Sequence, residues 1–139
     1  PHTIRMRKRA GGRIVFFSMR GGDDMPGFLH QHIAEGGTAV VREPGADGGA
    51  LVIHDGEDRR LLMRAREIPA TLGGLADFNI ANSLAAIAIA HAHGVRASTI
   101  RGAMASFSSS FQQSPGRLNV FDGHGFRVIM DYAHNPASM

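Results

Sequence analysis

Cysteine is absent from the 139 residues, which excludes disulfides and thiolate metal sites and leans the chain toward the cytoplasm. Lysine is almost absent. Lys8 is the only one among 15 basic residues, and it stands in R-K-R-A rather than in G-K-[ST]. A phosphate-cradling P-loop is therefore excluded from this chain, because that loop needs a lysine behind its glycines. Long apolar runs are missing as well: Ile80 to Ala90, the longest mainly apolar stretch, is alanine-rich and well short of the roughly 20 residues that cross a bilayer. Arg5, Arg7, Lys8 and Arg9 are followed by Gly11, Gly12 and Arg13, with no apolar signal core, so neither a membrane span nor secretion finds support. No internal repeat, heptad or low-complexity tract is evident.

What is present describes a soluble, loop-rich globular chain: 43% apolar residues, 19% charged residues, 18 glycines and a mean hydropathy of -0.09. The length suits one domain and allows burial of roughly two thirds of the unfolded surface. The formal charge is only +3, and the basic pI reflects arginine.

Ile14, Val15, Phe16 and Phe17 predict a buried strand within Arg13 to Met19. From Pro26 to Glu35 the period becomes helical, with Phe28, Leu29, His32 and Ile33 in register and Gly36-Gly37 as the stop. Thr38 to Val41 reads as a second strand. Leu51 to His54 and Arg60 to Met63 flank Asp55-Gly56-Glu57-Asp58 and predict a β-hairpin, since Asp-Gly accepts the positive φ such turns require. Asn79 to His93 is the strongest helix, with Ile80, Leu84, Ile87 and His91 on one stripe, Gly94 as stop and Asp77 as expected cap. A shorter helix is expected from Ser98 or Thr99 through Phe107. Ser108 to Pro115 is Ser/Gln-rich and reads as a linker, the expected first point of proteolysis. Arg117 to Phe121 and Phe126 to Tyr132 form a second hairpin-like pair.

Asn79 and Asn82 open the long helix, Arg117 lies in P-G-R-L-N, and Asp131 heads D-Y-A-H-N-P at the end of an apolar strand. Amides can donate to and accept from a purine edge, arginine forks onto phosphate oxygens, and a carboxylate accepts from ribose hydroxyls. Each also has a plainer role. The asparagines can cap a helix, Arg117 can be a solvated turn residue, and Asp131 with His134 can form a strand-end turn pair.

The order of these pieces, F-N-I-A-N-S-L-A-A, a Gly94-Val95 stop, a helix ending in Phe107, P-G-R-L-N and D-Y-A-H-N-P, resembles the Mur ligase family of ATP-dependent amide-bond ligases. I-P-A-T-L-G-G at Ile68 to Gly74 and the Phe78-Asn79 pair strengthen the likeness to a module that adds arginine to aspartate side-chain carboxylates of a polymer. Many family members have histidine where Phe78 stands. The resemblance implies an α/β fold, with a small, mostly antiparallel sheet and helices over residues 1–113, the late central (ATPase) domain. Residues 114–139 would be the first strands of a Rossmann-like C-terminal domain. It implies ATP and Mg2+ as cofactors, with Asn79 and Asn82 near the adenine, Arg117 near the phosphates and Asp131 at the ribose. Tyr132, His134 and Asn135 would shape the nucleotide pocket and the domain junction. No residue is assigned a catalytic or metal-ligating role, because the family's phosphate loop and magnesium ligands lie upstream of the matched region. With D-Y-A-H-N-P three residues from the end, the chain is expected to be cut inside a functional unit and inactive alone. Implied partners are ATP, amino-acid and polymer or peptide substrates, and further copies of a parent enzyme.

Two other readings remain open beside another Mur-type peptide ligase. The five basic residues between Ile4 and Arg13 could serve a small nucleic-acid-binding module. They lack interleaved aromatics for base stacking, and Asp23 and Asp24 follow. Metal binding by His30/His32 or His91/His93 is disfavoured, since helical residues two apart do not share a face.

Overall fold

The computed structural model describes residues 2–133. The helices and strands expected between Arg13 and Phe107 all form. Helix α1 (His2–Met6) leads through a 3-10 turn to strand β1 (Val15–Ser18), helix α2 (Gly27–Ala34) and strand β2 (Thr38–Glu43). Strands β3 (Ala50–Asp55) and β4 (Asp58–Arg64) follow as a hairpin, and Gly56 at its turn has a φ of 60°. Helices α3 (Asp77–Ala92) and α4 (Ala97–Ser106) precede strands β5 (Asn119–Phe121) and β6 (Val128–Met130).

The four-stranded sheet runs β1-β2-β3-β4. The first pair is parallel, joined through α2, and the other two are antiparallel, so the sheet is mixed and mostly antiparallel as expected. One face packs on α3 and α4 through Val40, Leu51, Ile53 and Met63 against Ile80, Leu84, Ile87 and Ile100. The other face packs on α2 through Ala39, Val41 and Val52 against Leu29. Alternate residues of β2 and β3 thus serve different layers, as the two-residue period of a strand requires.

Helix ends follow the glycines. Gly94, at φ 74°, lets Val95 N–H reach Ala90 O at 3.0 Å and its own N–H reach His91 O at 2.9 Å, the double closure that left-handed residues permit. The start of α3 differs from the sequence expectation. Ala76 occupies the cap position without a side-chain bond, and Asp77 is already helical, its carboxylate accepting from Arg42 Nη1 at 2.9 Å. A local cap loses here to a nonlocal charge partner.

Helix α3 lies antiparallel to β2. Its first residue meets Arg42 near the carboxyl end of that strand, while His91 Nε2 stands 3.7 Å from Asp55 Oδ2, and Asp55 is the register partner of Thr38 at the strand's beginning. The amino end of α3 therefore sits beside the carboxyl ends of the parallel pair. Ligands of open α/β sheets gather at that edge.

Strands β5 and β6 form a separate two-stranded antiparallel sheet, with all three β6 residues exposed. The stretch leading to it is not slack. Gln113 Oε1 accepts from Ser108 N–H at 2.7 Å, Ser114 N–H donates to Ser110 O at 2.9 Å, and the Phe111 and Phe121 rings pack with centroids 6.4 Å apart.

Candidate functional site

The loop from Ile68 to Gly74 prepares the site. Thr71 is fully buried, with Oγ1 at 2.7 Å from Ala65 O and 2.8 Å from Ile68 O, sharing its one proton between them and accepting from Gly74 N–H. Gly74 has a φ of 92° and runs so close to Asp47 that an added Cβ would stand 2.0 Å from its carbonyl oxygen. Gly48, also at positive φ, faces the same contact from the other side. These glycines permit backbone to lie on backbone, fixing the loop against the β2–β3 connection. Asn79 Nδ2 then donates to Ala70 O at 2.6 Å, so the loop positions the first turn of α3. One face of Asn79 is committed to that tie, and its Oδ1 accepts nothing among the described residues.

A cleft of about 990 Å³ opens between α3, the end of α4, the loop that precedes β5 and the residue that follows β6. Asn79, Asn82, Arg117 and Asp131 all line it, although 52 positions separate the first from the last (131 minus 79). Ala70, Phe78, Ala86, Met104 and Phe107 make its walls largely apolar, and Ser83, Ser109 and Ser114 add hydroxyls. A large, mainly apolar cleft with a few convergent polar groups is the form that small-molecule sites take.

The polar groups are not equivalent. Asn82 is exposed and its amide makes no hydrogen bond among the described residues; the Arg117 guanidinium is likewise without one. Asp131 accepts from Leu118 N–H at 2.9 Å with Oδ2 and from Ala133 N–H at 2.8 Å with Oδ1. Asp131 therefore braces its own turn, with one lone pair on each oxygen still directed elsewhere. Tyr132 is exposed and lines no part of the cleft, while its N–H donates to Gly116 O at 2.8 Å. His134 and Asn135 lie outside the described residues.

Sequence reasoning passed over Asn119. It is 1% exposed, accepts from Gly116 N–H at 2.7 Å through Oδ1, and donates through Nδ2 to Ser109 O at 2.6 Å and Ser114 O at 2.9 Å. Its only sequence signal is an amide three residues after the glycine of Pro115-Gly116. Phe78 and Phe107 were read for a motif and a helix stripe rather than as cleft walls.

Elsewhere several charged groups are tied into ion pairs. Arg13 donates to Asp55 at 2.8 Å, beside the buried Thr38, so the basic run loses one member to an ion pair. The Thr38 hydroxyl, then Arg13 and His91, hold the Asp55 carboxyl below its ordinary range. Glu43 is held low by its bond from Arg59, with His54 alongside; burial drives His54 downward despite Glu43, and its Nε2 has no hydrogen-bond partner among the described residues. Among the described residues no three His, Asp or Glu side chains converge to hold a metal. The His32 ring packs edge-on against Phe16 with centroids 4.8 Å apart.

No protein-family model matches the chain. It is 40% identical to a cyanophycin synthetase of Geminocystis herdmanii over 137 residues, 99% of this chain and 15% of that protein. A cyanophycin synthetase of a Nostoc species is 38% identical over 96% of this chain and 14% of its own length. A UDP-N-acetylmuramyl-tripeptide synthetase of Deinococcus radiodurans is 36% identical over 62% of the chain and 17% of its own length. The chain thus spans about a seventh of the cyanophycin synthetases that it matches almost end to end.

Proposed function

We propose, from the kinship of this chain with cyanophycin synthetases and Mur ligases, that it is the nucleotide-facing stretch of an ATP-dependent amide-bond ligase. The reaction would activate a carboxylate as an acyl phosphate for attack by an amine, and the cyanophycin relatives favour arginine joined to aspartate side chains of a polymer. The observation that carries the reading is the single cleft lined by Asn79, Asn82, Arg117 and Asp131.

Its chemistry suits a nucleoside triphosphate. Phe78 and Phe107 offer apolar faces to a base, and the Asn82 amide with Asn79 Oδ1 can meet its polar edge. Arg117 brings a charge-assisted fork for phosphate oxygens. The spare lone pairs of Asp131 can accept from ribose hydroxyls. These residues bind and orient, which is most of what a protein supplies to phosphoryl transfer. Magnesium would accompany the phosphates, and its protein contacts would belong to another part of a parent enzyme. Residues 1–113 would close the central domain and 114–139 open the next. Tyr132, His134 and Asn135 would serve the domain junction. The parent would act in the cytoplasm and could work as a homo-oligomer; no described helix is long and apolar enough to cross a membrane.

The test is a titration of the isotopically labelled chain with Mg-ATP, followed by NMR. Shifts should cluster at the first turn of α3, at Phe107 and at Arg117, and Arg117→Ala should remove them. No response at millimolar ATP, or shifts confined to the basic run near Arg7, would overturn the reading. The chain incubated with ATP, arginine and a polymer primer should show no turnover, since its one lysine is not in a phosphate loop.

A further inference from the structure

Arg117 is flanked on both sides by left-handed backbone, Gly116 at φ 71° and Leu118 at φ 51°. For leucine that conformation is costly and persists only where neighbours enforce it. Neighbouring hydrogen bonds enforce it. Gly116 N–H donates to Asn119 Oδ1 at 2.7 Å, Gly116 O accepts from Tyr132 N–H at 2.8 Å, and Leu118 N–H donates to Asp131 Oδ2 at 2.9 Å. Asn119 reaches furthest, because its amide also holds the carbonyls of Ser109 and Ser114 at 2.6 and 2.9 Å. Both of its N–H donors and its oxygen are used within one buried side chain.

We infer that Asn119 is the positioning residue of the cleft: it locks the Ser109 to Leu118 loop so that Arg117 projects toward the anionic part of the ligand. The inference rests on the reading of the cleft as a nucleotide site. Asn119 itself does not line the cleft, and it acts through Arg117. Ser109 and Ser114, which do line it, are held by the same amide, so one side chain sets two walls.

A double-mutant cycle separates this from a general structural role. Arg117→Ala should weaken Mg-ATP binding about tenfold, the usual weight of one charge-assisted contact. Asn119→Ala should match it, and the double variant should be no weaker than either. Additive losses would overturn the positioning role. Asn119→Asp, which keeps the acceptor for Gly116 and loses both donors, guards against a poorly folded alanine variant; it should bind as weakly as Arg117→Ala. Hydrogen exchange judges the brace without nucleotide. The Leu118 amide should lose protection in both Asn119 variants and the Gly116 amide in Asn119→Ala, both should keep it in Arg117→Ala, and α3 should stay protected in all three. Unchanged protection at Gly116 and Leu118 would overturn the inference even if ATP binds. If the wild-type chain ignores ATP, the nucleotide reading falls, and with it the ligand-directed half of this inference, while the exchange data still decide whether Asn119 holds the loop.

Discussion

At the scale of single residues, the least forgiving positions are those where backbone touches backbone. Gly74→Ala would place a methyl 2.0 Å from Asp47 O while demanding positive φ of an L-residue. It should cost more than about 2 kcal/mol, beyond the typical point mutation, and appear as a large drop in thermal midpoint. His54 gives a test against pH. Its folded pKa lies below the ordinary 6.5, so in the window just below 6.5 the unfolded chain binds the proton more readily, and stability must rise with pH there. Glu43 adds the usual carboxylate case: its folded pKa is depressed below 4.5, so its contribution is complete above that value and is lost as pH falls through the folded pKa. Chemical unfolding across this range should show both slopes. His54→Gln should flatten the upper one and leave the lower in place; an unchanged upper slope would assign it elsewhere.

Among the elements, α3 carries most. Leu84 is fully buried in the core that the sheet, α3 and α4 share, and Leu84→Ala should cost about 2–5 kcal/mol by denaturant titration, the range for a leucine removed from a packed core. A smaller value would mean that the surrounding side chains collapse into the space. Much of this layer was legible in the sequence, because its causes are local. β-branched runs marked β2 and β3, Asp55-Gly56 marked their hairpin turn with β4, and the spacing of Ile80, Leu84 and Ile87 marked the buried stripe. Where the cause was distant, legibility failed. Asp77 looked like a cap because caps are read from neighbours in sequence, whereas its partner Arg42 lies 35 positions away. The linker looked slack because serine and glutamine make weak local signals, and the bonds that close it come partly from Asn119, ten residues beyond Ser109.

For the whole molecule, the site is a product of topology. Motif order pointed to Asn79, Asn82, Arg117 and Asp131, and the cleft lined by all four exists because the fold brings the first turns of α3 to the segments on either side of the β5–β6 hairpin. The apolar walls and the buried brace could not be read from spacing, since burial is a property of the assembled fold. The molecular prediction concerns cooperativity. The Asn119 and Gln113 bonds tie the β5–β6 sheet to the segment that follows α4 and to Ser106 at its end, all three β6 residues are exposed, and small two-stranded units are marginal by themselves. Urea should release this hairpin before the four-stranded body, seen as early loss of β6 amide protection with α3 intact; one coincident transition would show that the body and hairpin unfold as a unit.

The contact between the 48 and 74 regions also has a meaning for sequence variation. Every amino-acid replacement of a glycine adds a Cβ, so a saturation library selected for folding should be nearly empty of substitutions at Gly74 and Gly48. Gly11, Gly12, Gly27 and Gly123, with nothing within 4 Å of an added Cβ and no positive φ, should fill freely. The pattern of tolerated change would then trace the join between two loops without any structure determination, and it would do so in any host able to report folding.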